Sequence, residues 1–124
     1  KVVNQNISNI NAVCENIEKF EFKKNNYDLI LDIAVLQHVN NKYLEPIFSR
    51  IKSSLKPNGR FYSWCLASFN GINDEKFDYS IITKQILQKN FNKGFVLTFD
   101  KYKYTQNSGE NYIEFLIFSA ERIN

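Results

Sequence analysis

The fold of this chain is decided by residues Tyr27–Val39, which have the sequence YDLILDIAVLQHV. The first nine residues of this stretch are largely apolar at both odd and even positions. A strand with two apolar faces is typical of the centre of a parallel sheet that helices cover above and below. We therefore predict a strand over Tyr27–Val35, in which Asp32 is the polar exception near the carboxyl end.

An amphipathic helix is predicted directly after this strand. Asn40 and Asn41 are good helix caps, and Pro46 fits best in the first turn of a helix. We therefore expect the helix to begin near Tyr43 or Leu44. The apolar residues that share one face of this helix are Leu44, Ile47, Phe48, Ile51 and Leu55.

A turn and a second strand follow the helix. Pro57 cannot continue a helix, and Gly59 accepts the left-handed backbone that a tight turn needs. The next apolar run, Arg60–Ser68, is predicted to be a strand. Strand, helix, turn and strand in this order form a parallel crossover unit, in which ligands bind near the carboxyl ends of the strands.

The rest of the chain adds strands on both sides of this unit. Ile10–Cys14 is predicted to be a short strand, and Asp78 is a plausible cap for a helix that ends at Phe91. Two β-rich runs, Phe95–Tyr104 and Tyr112–Ala120, are joined by the hairpin signal QNSG. The predicted fold class is α/β, a Rossmann-like sheet with parallel crossovers that ends in an antiparallel hairpin.

The composition limits the function further. A chain of 124 residues with 44% hydrophobic content can form a single domain, over residues 1–124, with a modest core. It has no apolar stretch near the roughly 20 residues of a membrane span, and its net charge of +3 is spread out, so we expect neither a membrane nor a nucleic-acid partner. The sequence has no methionine, so we expect a processed chain or a piece of a longer one.

Cysteine usage indicates the compartment. Cys14 and Cys65 lie in apolar, strand-like surroundings, and neither belongs to a paired-cysteine metal motif. We predict that both are buried free thiols in a reducing, cytoplasmic environment, and we expect no metal site.

Three of these segments resemble the class I methyltransferases that use S-adenosylmethionine. YDLI at 27–30 looks like the aromatic-Asp-apolar-apolar start of the family's fourth strand, and Val35–Val39 looks like the segment that leaves it. Leu55–Arg60 is similar to the helix end and turn before the fifth strand, with Asn58 in place of the usual first glycine. The terminal hairpin resembles the family's reversed last strand. The resemblance implies methyl transfer, with S-adenosylmethionine as cofactor.

One part of the family pattern is absent from this sequence. The glycine-rich loop after the family's first strand and the acidic residue after its second strand have no counterpart, since the four glycines, at positions 59, 71, 94 and 109, form no cradle. The resemblance therefore implies a carboxyl-terminal portion of such an enzyme. Upstream residues or another subunit would supply the missing strands, and this portion alone would bind the cofactor poorly and be inactive.

The resemblance also assigns cofactor-binding residues. Asn16 and Ile17 match the loop that holds the adenine edge, although Asn16 could equally be a turn residue. Asp32, Ile33 and Leu36 lie where the family's fourth strand opens onto the cofactor. For Asp32 the alternative is a solvent-exposed helix cap or edge residue; we favour the binding role, since a lone charge in an apolar strand is costly without a partner.

The acceptor side is assigned in the same way. His38, the sole histidine, could act as a general base or serve as a pocket-wall or hydrogen-bonding residue. Ser68, Phe69 and Asn70 are predicted to contact the acceptor. Trp64, inside the second strand, is predicted to pack in the core rather than line the pocket.

The predicted acceptor is a small molecule, with a hydroxyl as its reacting group. Methylases of exocyclic base amines carry an Asn/Asp-Pro-Pro-aromatic segment after the fourth strand, whereas residues 32–35 here are DIAV. The alternative function is a non-catalytic binding or scaffolding domain derived from a methyltransferase half. A different nucleotide-binding crossover fold is a third possibility, which the terminal hairpin disfavours.

Overall fold

The computed structural model describes residues 8–70, 80–106 and 111–123, without the side chains of residues 67–70, 102–106 and 111. The elements within these ranges are β1 (Tyr27–Ile33), α1 (Asn41–Ser54), β2 (Leu55–Asn70), α2 (Lys84–Asn90), β3 (Phe95–Gln106) and β4 (Asn111–Arg122). A short 3-10 turn, Leu36–His38, lies between β1 and α1.

The strands form one mixed sheet in the order β1-β2-β4-β3. β1 and β2 are parallel and are connected through α1. β4 runs antiparallel to both β2 and β3 and lies between them. The predicted fold class is therefore confirmed, including the parallel crossover, the terminal hairpin and the reversed last strand.

The strand predicted at Ile10–Cys14 is wrong. These residues carry no regular secondary structure, and within the described ranges no strand pairs with them. Their apolar side chains suit a strand, but a strand also needs a neighbour that satisfies its backbone hydrogen bonds. The exposure of Ile10 and Val13, at 53% and 60%, follows from this lack of pairing.

Helix α1 begins earlier than predicted. The Asn40 side chain caps it by accepting a hydrogen bond from the Lys42 amide at 3.1 Å, so Asn41 is the first helical residue. Pro46 consequently lies inside the helix and costs one backbone hydrogen bond. Burial of the apolar face outweighs this cost. The buried residues of α1 are Leu44, Ile47, Phe48, Ile51 and Ser54.

The turn after α1 uses its residues differently from the prediction. Asn58, not Gly59, takes the left-handed backbone, with φ 66°. Gly59 is needed because a Cβ there would lie 2.8 Å from the carbonyl oxygens of both Lys56 and Tyr27. The helix itself already ends at Ser54, and β2 begins directly after it.

Helix α2 is shorter than predicted. It begins at Lys84, and its cap is Thr83, whose hydroxyl accepts a hydrogen bond from the Ile86 amide at 3.2 Å. The predicted cap, Asp78, lies outside the described residues. Phe91, the predicted end, directly follows the helix.

The two helices pack against one face of the sheet, which we call the covered face. Its centre is a cluster of phenylalanines, in which the Phe61 and Phe91 rings stack at 5.9 Å and Phe48 meets Phe91 edge-on at 5.5 Å. The register places alternate strand residues on the opposite, open face. Large apolar side chains of β1 on that open face are Leu29, Leu31 and Ile33, which are 52%, 61% and 56% exposed.

The cysteine prediction is half right. Both thiols are free, and Cys65 is buried on the covered face, where its Sγ donates to the Leu116 carbonyl at 3.6 Å. Burial raises the pKa of Cys65 from its usual 9.0 to about 11. Cys14, in contrast, is exposed, because the segment around it forms no strand.

Candidate functional site

The carboxyl end of β1 is closed by the buried side chain of Asp32. Its Oδ1 accepts hydrogen bonds from the amides of Val35 and Leu36 at 2.9 and 3.2 Å, and its Oδ2 accepts one from the Ser63 hydroxyl at 2.6 Å. Charge-assisted bonds of this kind offset the cost of burying a carboxylate. Asp32 thus has the capping geometry that we weighed as its alternative role, but it is buried rather than exposed.

The backbone next to Asp32 is held in an unusual conformation. Ala34 has a φ of 60°, in the left-handed region that side-chain-bearing residues rarely adopt. Its amide donates to the Trp64 carbonyl of β2 at 2.9 Å. The chain therefore leaves β1 in a turn that Asp32 fixes on one side and β2 on the other.

The 3-10 turn ends at His38. The His38 amide donates to the Val35 carbonyl at 3.0 Å, and its side chain is exposed. Ser80 fixes the same turn, since its amide donates to the Gln37 carbonyl at 2.7 Å and its hydroxyl donates to the Val39 carbonyl. His38 is thus presented at the carboxyl end of β1.

A second turn, at residues 16–20, lies across from β1. The Asn16 side-chain oxygen accepts a hydrogen bond from the Glu18 amide at 3.1 Å. The backbone carbonyl of Asn16 accepts hydrogen bonds from the amides of Lys19 and Phe20 at 2.9 and 3.0 Å. Asn16 therefore has the geometry of a turn asparagine, the other interpretation that the sequence allows. Its predicted contact with adenine stays a prediction.

Arg50 anchors this second turn to α1. Its guanidinium donates to the carbonyls of Phe20 at 3.2 Å, Glu18 at 3.0 Å and Ile17 at 3.4 Å. The sequence alone does not mark Arg50 as a site residue. The available signal was weak: a single arginine between the apolar positions Phe48 and Ile51 of an amphipathic helix.

A cavity of about 370 Å³ lies between the second turn and the end of β1. Its walls are mostly apolar and come from both segments, with the buried Asp32 on the β1 side. Six of the residues that line it are Ile17, Phe20, Phe22, Asp32, Val35 and Leu36. The cavity can hold a ligand with a flat apolar part, which the aromatic rings would contact.

The predicted cofactor residues divide around this cavity. Ile17, Asp32 and Leu36 line it, although they come from separate parts of the chain. Ile33 lies on the open face and is not among the lining residues, although Leu31 on the same face is. Asn16 is also absent from the lining, although both of its sequence neighbours contribute to it.

The predicted acceptor residues lie at the same end of the sheet. His38 does not line the cavity. Ser68–Asn70 form the end of β2, where their backbones pair with residues 112–114 of β4. The side chains of Ser68, Phe69 and Asn70 lie outside the description. The binding role of these residues and the base role of His38 stay predictions.

Trp64 packs against another strand aromatic, but not in the core, where the sequence predicts it. Its ring meets that of Phe115 edge-on at 5.7 Å, and the side chain is half-buried. The register places it opposite Ile33, on the open face. The packing is therefore not in the phenylalanine core between sheet and helices.

Two kinds of feature are absent from the part of the chain that the structure describes. There, no cluster of three or more His, Cys, Asp or Glu side chains could hold a metal ion. No helix in that part is long and apolar enough to cross a membrane.

The sequence itself matches a known family. Residues 1–63, half of the chain, match a family model described as a methyltransferase domain. The chain belongs to this methyltransferase family. It is also 34% identical over 94 residues to an uncharacterized protein of Methanocaldococcus jannaschii, a match that covers 74% of this chain and 40% of that protein.

Solved structures agree on the fold of this methyltransferase chain. A Haemonchus contortus phosphoethanolamine N-methyltransferase, in complex with phosphomonomethylethanolamine and S-adenosylhomocysteine, aligns with a TM-score of 0.66 at 17% identity, over 88% of this chain and 36% of that one. A Burkholderia thailandensis 1,6-didemethyltoxoflavin-N1-methyltransferase gives 0.62 at 18% identity, over 90% and 50%. A Methanosarcina mazei S-adenosylmethionine-dependent methyltransferase gives 0.62 at 17%, over 89% and 66%.

These findings confirm the predicted resemblance and agree with the predicted cofactor. They also give the extent of the match. The chain spans 40% of the length of its curated relative and 36% of that of the Haemonchus contortus enzyme.

Proposed function

We propose that this chain is the carboxyl-terminal part of an enzyme that transfers a methyl group from S-adenosylmethionine to a hydroxyl of a small molecule. The observation that carries the proposal is the cavity at the carboxyl end of β1, where Ile17, Asp32 and Leu36 come together. Ligands of α/β sheets bind at this end of parallel strands. Family membership supports the reaction type.

The residues of the cavity fit one wall of a site for this cofactor. Ile17 and Leu36 offer apolar surface that excludes water, and the Asp32 carboxylate adds negative charge beside the place of a cationic ligand. When bound, S-adenosylmethionine supplies an electrophilic methyl group on a sulfonium. The protein's contribution is to bind and orient both reactants, since proximity and alignment account for much of the rate of such a transfer.

The remaining walls are proposed to come from upstream residues of the full-length protein. The glycine-rich loop of the family is absent from this sequence. The open face also supports the presence of a covering layer in the full-length protein. Leu29, Leu31 and Ile33 expose more than half of their surface there, whereas strands of parallel sheets are usually buried on both faces. Another subunit could cover this face instead, but the greater length of the relatives favours the same chain.

His38 is proposed to face the acceptor. Its position at the end of β1 suits either a general base for a hydroxyl or a hydrogen-bonding wall residue. The pH dependence of turnover by a full-length His38→Gln variant distinguishes the two. If His38 is a base, turnover by the wild type should fall at low pH, whereas turnover by the variant should be reduced uniformly at every pH. Full turnover by the variant at every pH would exclude that role.

A cytoplasmic location is part of the proposal. Cys14 and Cys65 are both free thiols, which suits a reducing compartment. Fractionation of cells that carry the tagged full-length protein tests this.

The central experiment is calorimetry with S-adenosylmethionine and S-adenosylhomocysteine, on the 124-residue chain and on the full-length protein. We expect binding by the full-length protein and weak or no binding by the chain alone. Ile17→Asp, in the cavity wall, should abolish binding by the full-length protein. The matched control is Val96→Asp, at an exposed position of β3, which should leave binding unchanged.

Absence of binding by both proteins would overturn the proposal. It would favour the second candidate, a non-catalytic scaffolding domain. The exposed apolar face of β1 is the observation that supports that candidate.

A further inference from the structure

We infer that Arg50 is a positioning residue for the cavity, which holds the wall formed by residues 17–22 at a fixed distance from β1. The inference rests on the proposed function, because it assigns the wall opposite β1 to cofactor binding. Arg50 itself is not among the lining residues. It acts through the turn whose side chains are.

The contacts of Arg50 are directed at the backbone of the turn. The carbonyls of Ile17, Glu18 and Phe20 converge on two nitrogens of one guanidinium, at 3.0 to 3.4 Å. A guanidinium presents its donors in a rigid planar fork, so it can engage several carbonyls at once, whereas a lysine ammonium is a single point. The arrangement therefore depends on the shape of the arginine head and not only on its charge.

The turn is also attached on its apolar side, where Ile17 and Phe22 pack against the core. Residues 8–26 form no strand, and within the described ranges no salt bridge involves Arg50. The aromatic contacts Phe20–Phe22 and Phe22–Tyr27, at 4.9 and 6.2 Å between ring centroids, hold its apolar side. Arg50 is the polar anchor on its backbone side.

This anchor has a consequence for ligand affinity. Ile17, Phe20 and Phe22 are cavity lining, and Arg50 fixes the carbonyls of two of these three residues. If the turn were released, a ligand would have to order it on binding, and the apparent association constant would be multiplied by the fraction of time that the turn spends in place. The chemistry of bound reactants would not change, because Arg50 does not reach them.

The test compares Arg50→Lys and Arg50→Met in the full-length protein. Calorimetry with S-adenosylhomocysteine should show affinity about tenfold weaker in both variants, since Lys retains the charge but not the fork. Amide exchange at Lys19 and Phe20, which donate to the Asn16 carbonyl, should be about tenfold faster without any ligand.

The matched control is Lys52→Met on the same helix. The Lys52 ammonium also donates to a backbone carbonyl, that of Asn90 at 2.6 Å, but this carbonyl belongs to α2 and not to the turn. Lys52→Met should lose comparable stability without a change in affinity or in amide exchange of the turn. This separates the positioning of the wall from general destabilisation.

The outcomes distinguish this inference from the proposed function. If the wild-type protein does not bind S-adenosylhomocysteine, the proposed function fails, and amide exchange still decides whether Arg50 anchors the turn. If the wild type binds and both Arg50 variants bind within twofold of it, the inference is wrong. If Arg50→Met does not fold, Arg50→Lys decides: wild-type affinity and exchange in that variant overturn the role of the fork.

Discussion

The two faces of the sheet are built from the same strands and differ sharply in their burial. On the covered face, Phe61 and Phe118 are 0% exposed, whereas Leu31 on the open face is 61% exposed. Both sets of side chains are apolar, so hydrophobicity alone does not separate them. The difference shows that helices within the described residues cover one face. The other face is as apolar as a buried face, but no described element covers it.

The largest expected effect compares the same substitution on the two faces. Leu116→Ala on the covered face should lower the free energy of unfolding by about 2–5 kcal/mol, because it leaves a cavity in a packed core. Leu31→Ala on the open face should cost less than about 1 kcal/mol in the 124-residue chain. Urea unfolding measures both. Equal losses would show that the two faces are not different in packing.

The same pair becomes sharper in the full-length protein. If upstream residues cover the open face, the cost of Leu31→Ala should rise toward that of Leu116→Ala. An unchanged cost would argue against that cover.

The next effect concerns Asp32, the one charged residue among the buried residues that the structure describes. Asp32→Ala should cost about 2–3 kcal/mol in urea unfolding, because it leaves two amides and the Ser63 hydroxyl without their acceptor. Asp28→Ala on the same strand should cost less than about 1 kcal/mol, since its ion pair with Lys56 is exposed. A similar loss from both changes would contradict the structural role of Asp32.

A third effect is a pH dependence that belongs to the covered face. The pKa of Cys65 is raised from 9.0 to about 11 in the folded state, so folding favours the protonated thiol. Its contribution to stability is therefore fully present below pH 9 and is lost as the pH rises toward 11. Urea unfolding at several pH values should show this loss, on the order of 2 kcal/mol, in the wild type.

Two controls accompany the pH measurement. Cys65→Ala should lack this part of the pH dependence. The exposed Cys14 should react with a thiol reagent in the folded protein, and Cys65 only after unfolding. Rapid labelling of both cysteines in the native state would refute the burial of Cys65.

The smallest effect lies where β1 leaves the sheet. Ala34→Gly should raise the free energy of unfolding slightly, by roughly 0.5 kcal/mol, because relief of the left-handed strain exceeds the added freedom of the unfolded chain. Ala120→Gly, on the covered face of β4, should lower it by about 1 kcal/mol. Thermal unfolding should therefore shift in opposite directions for the two variants.

The sequence was most informative where periodicity and pairing agree. The apolar run of β1 and the two β-rich runs of the hairpin each found a neighbour in the sheet, so all three are confirmed as strands. Within the described residues, however, β1 lies at the edge of the sheet and not at its centre, and it ends at Ile33 instead of Val35. Ile10–Cys14 has a similar apolar content but no partner within the described residues, and local content does not encode partners.

The candidate site was predictable to a smaller extent. Asp32 stood out because a charge in an apolar strand needs partners, but its partners, two amides and Ser63, could not be read from the sequence. Arg50 was missed for a related reason. It binds backbone carbonyls some 30 positions away, and a carbonyl has no sequence identity that could mark it as a partner.

The position of β4 has a consequence for how the protein folds during translation. β4 leaves the ribosome after β2 and β3, yet it lies between them in the sheet. During translation β2 can pair with β1 but has no neighbour on its other side until residues 112–121 have been synthesised. The β3–β4 hairpin is local and can form quickly once both strands have emerged, whereas its docking onto β2 closes a much longer loop. A nascent chain that pauses before β4 therefore carries an unpaired strand edge, the kind of surface that chaperones protect and aggregates exploit.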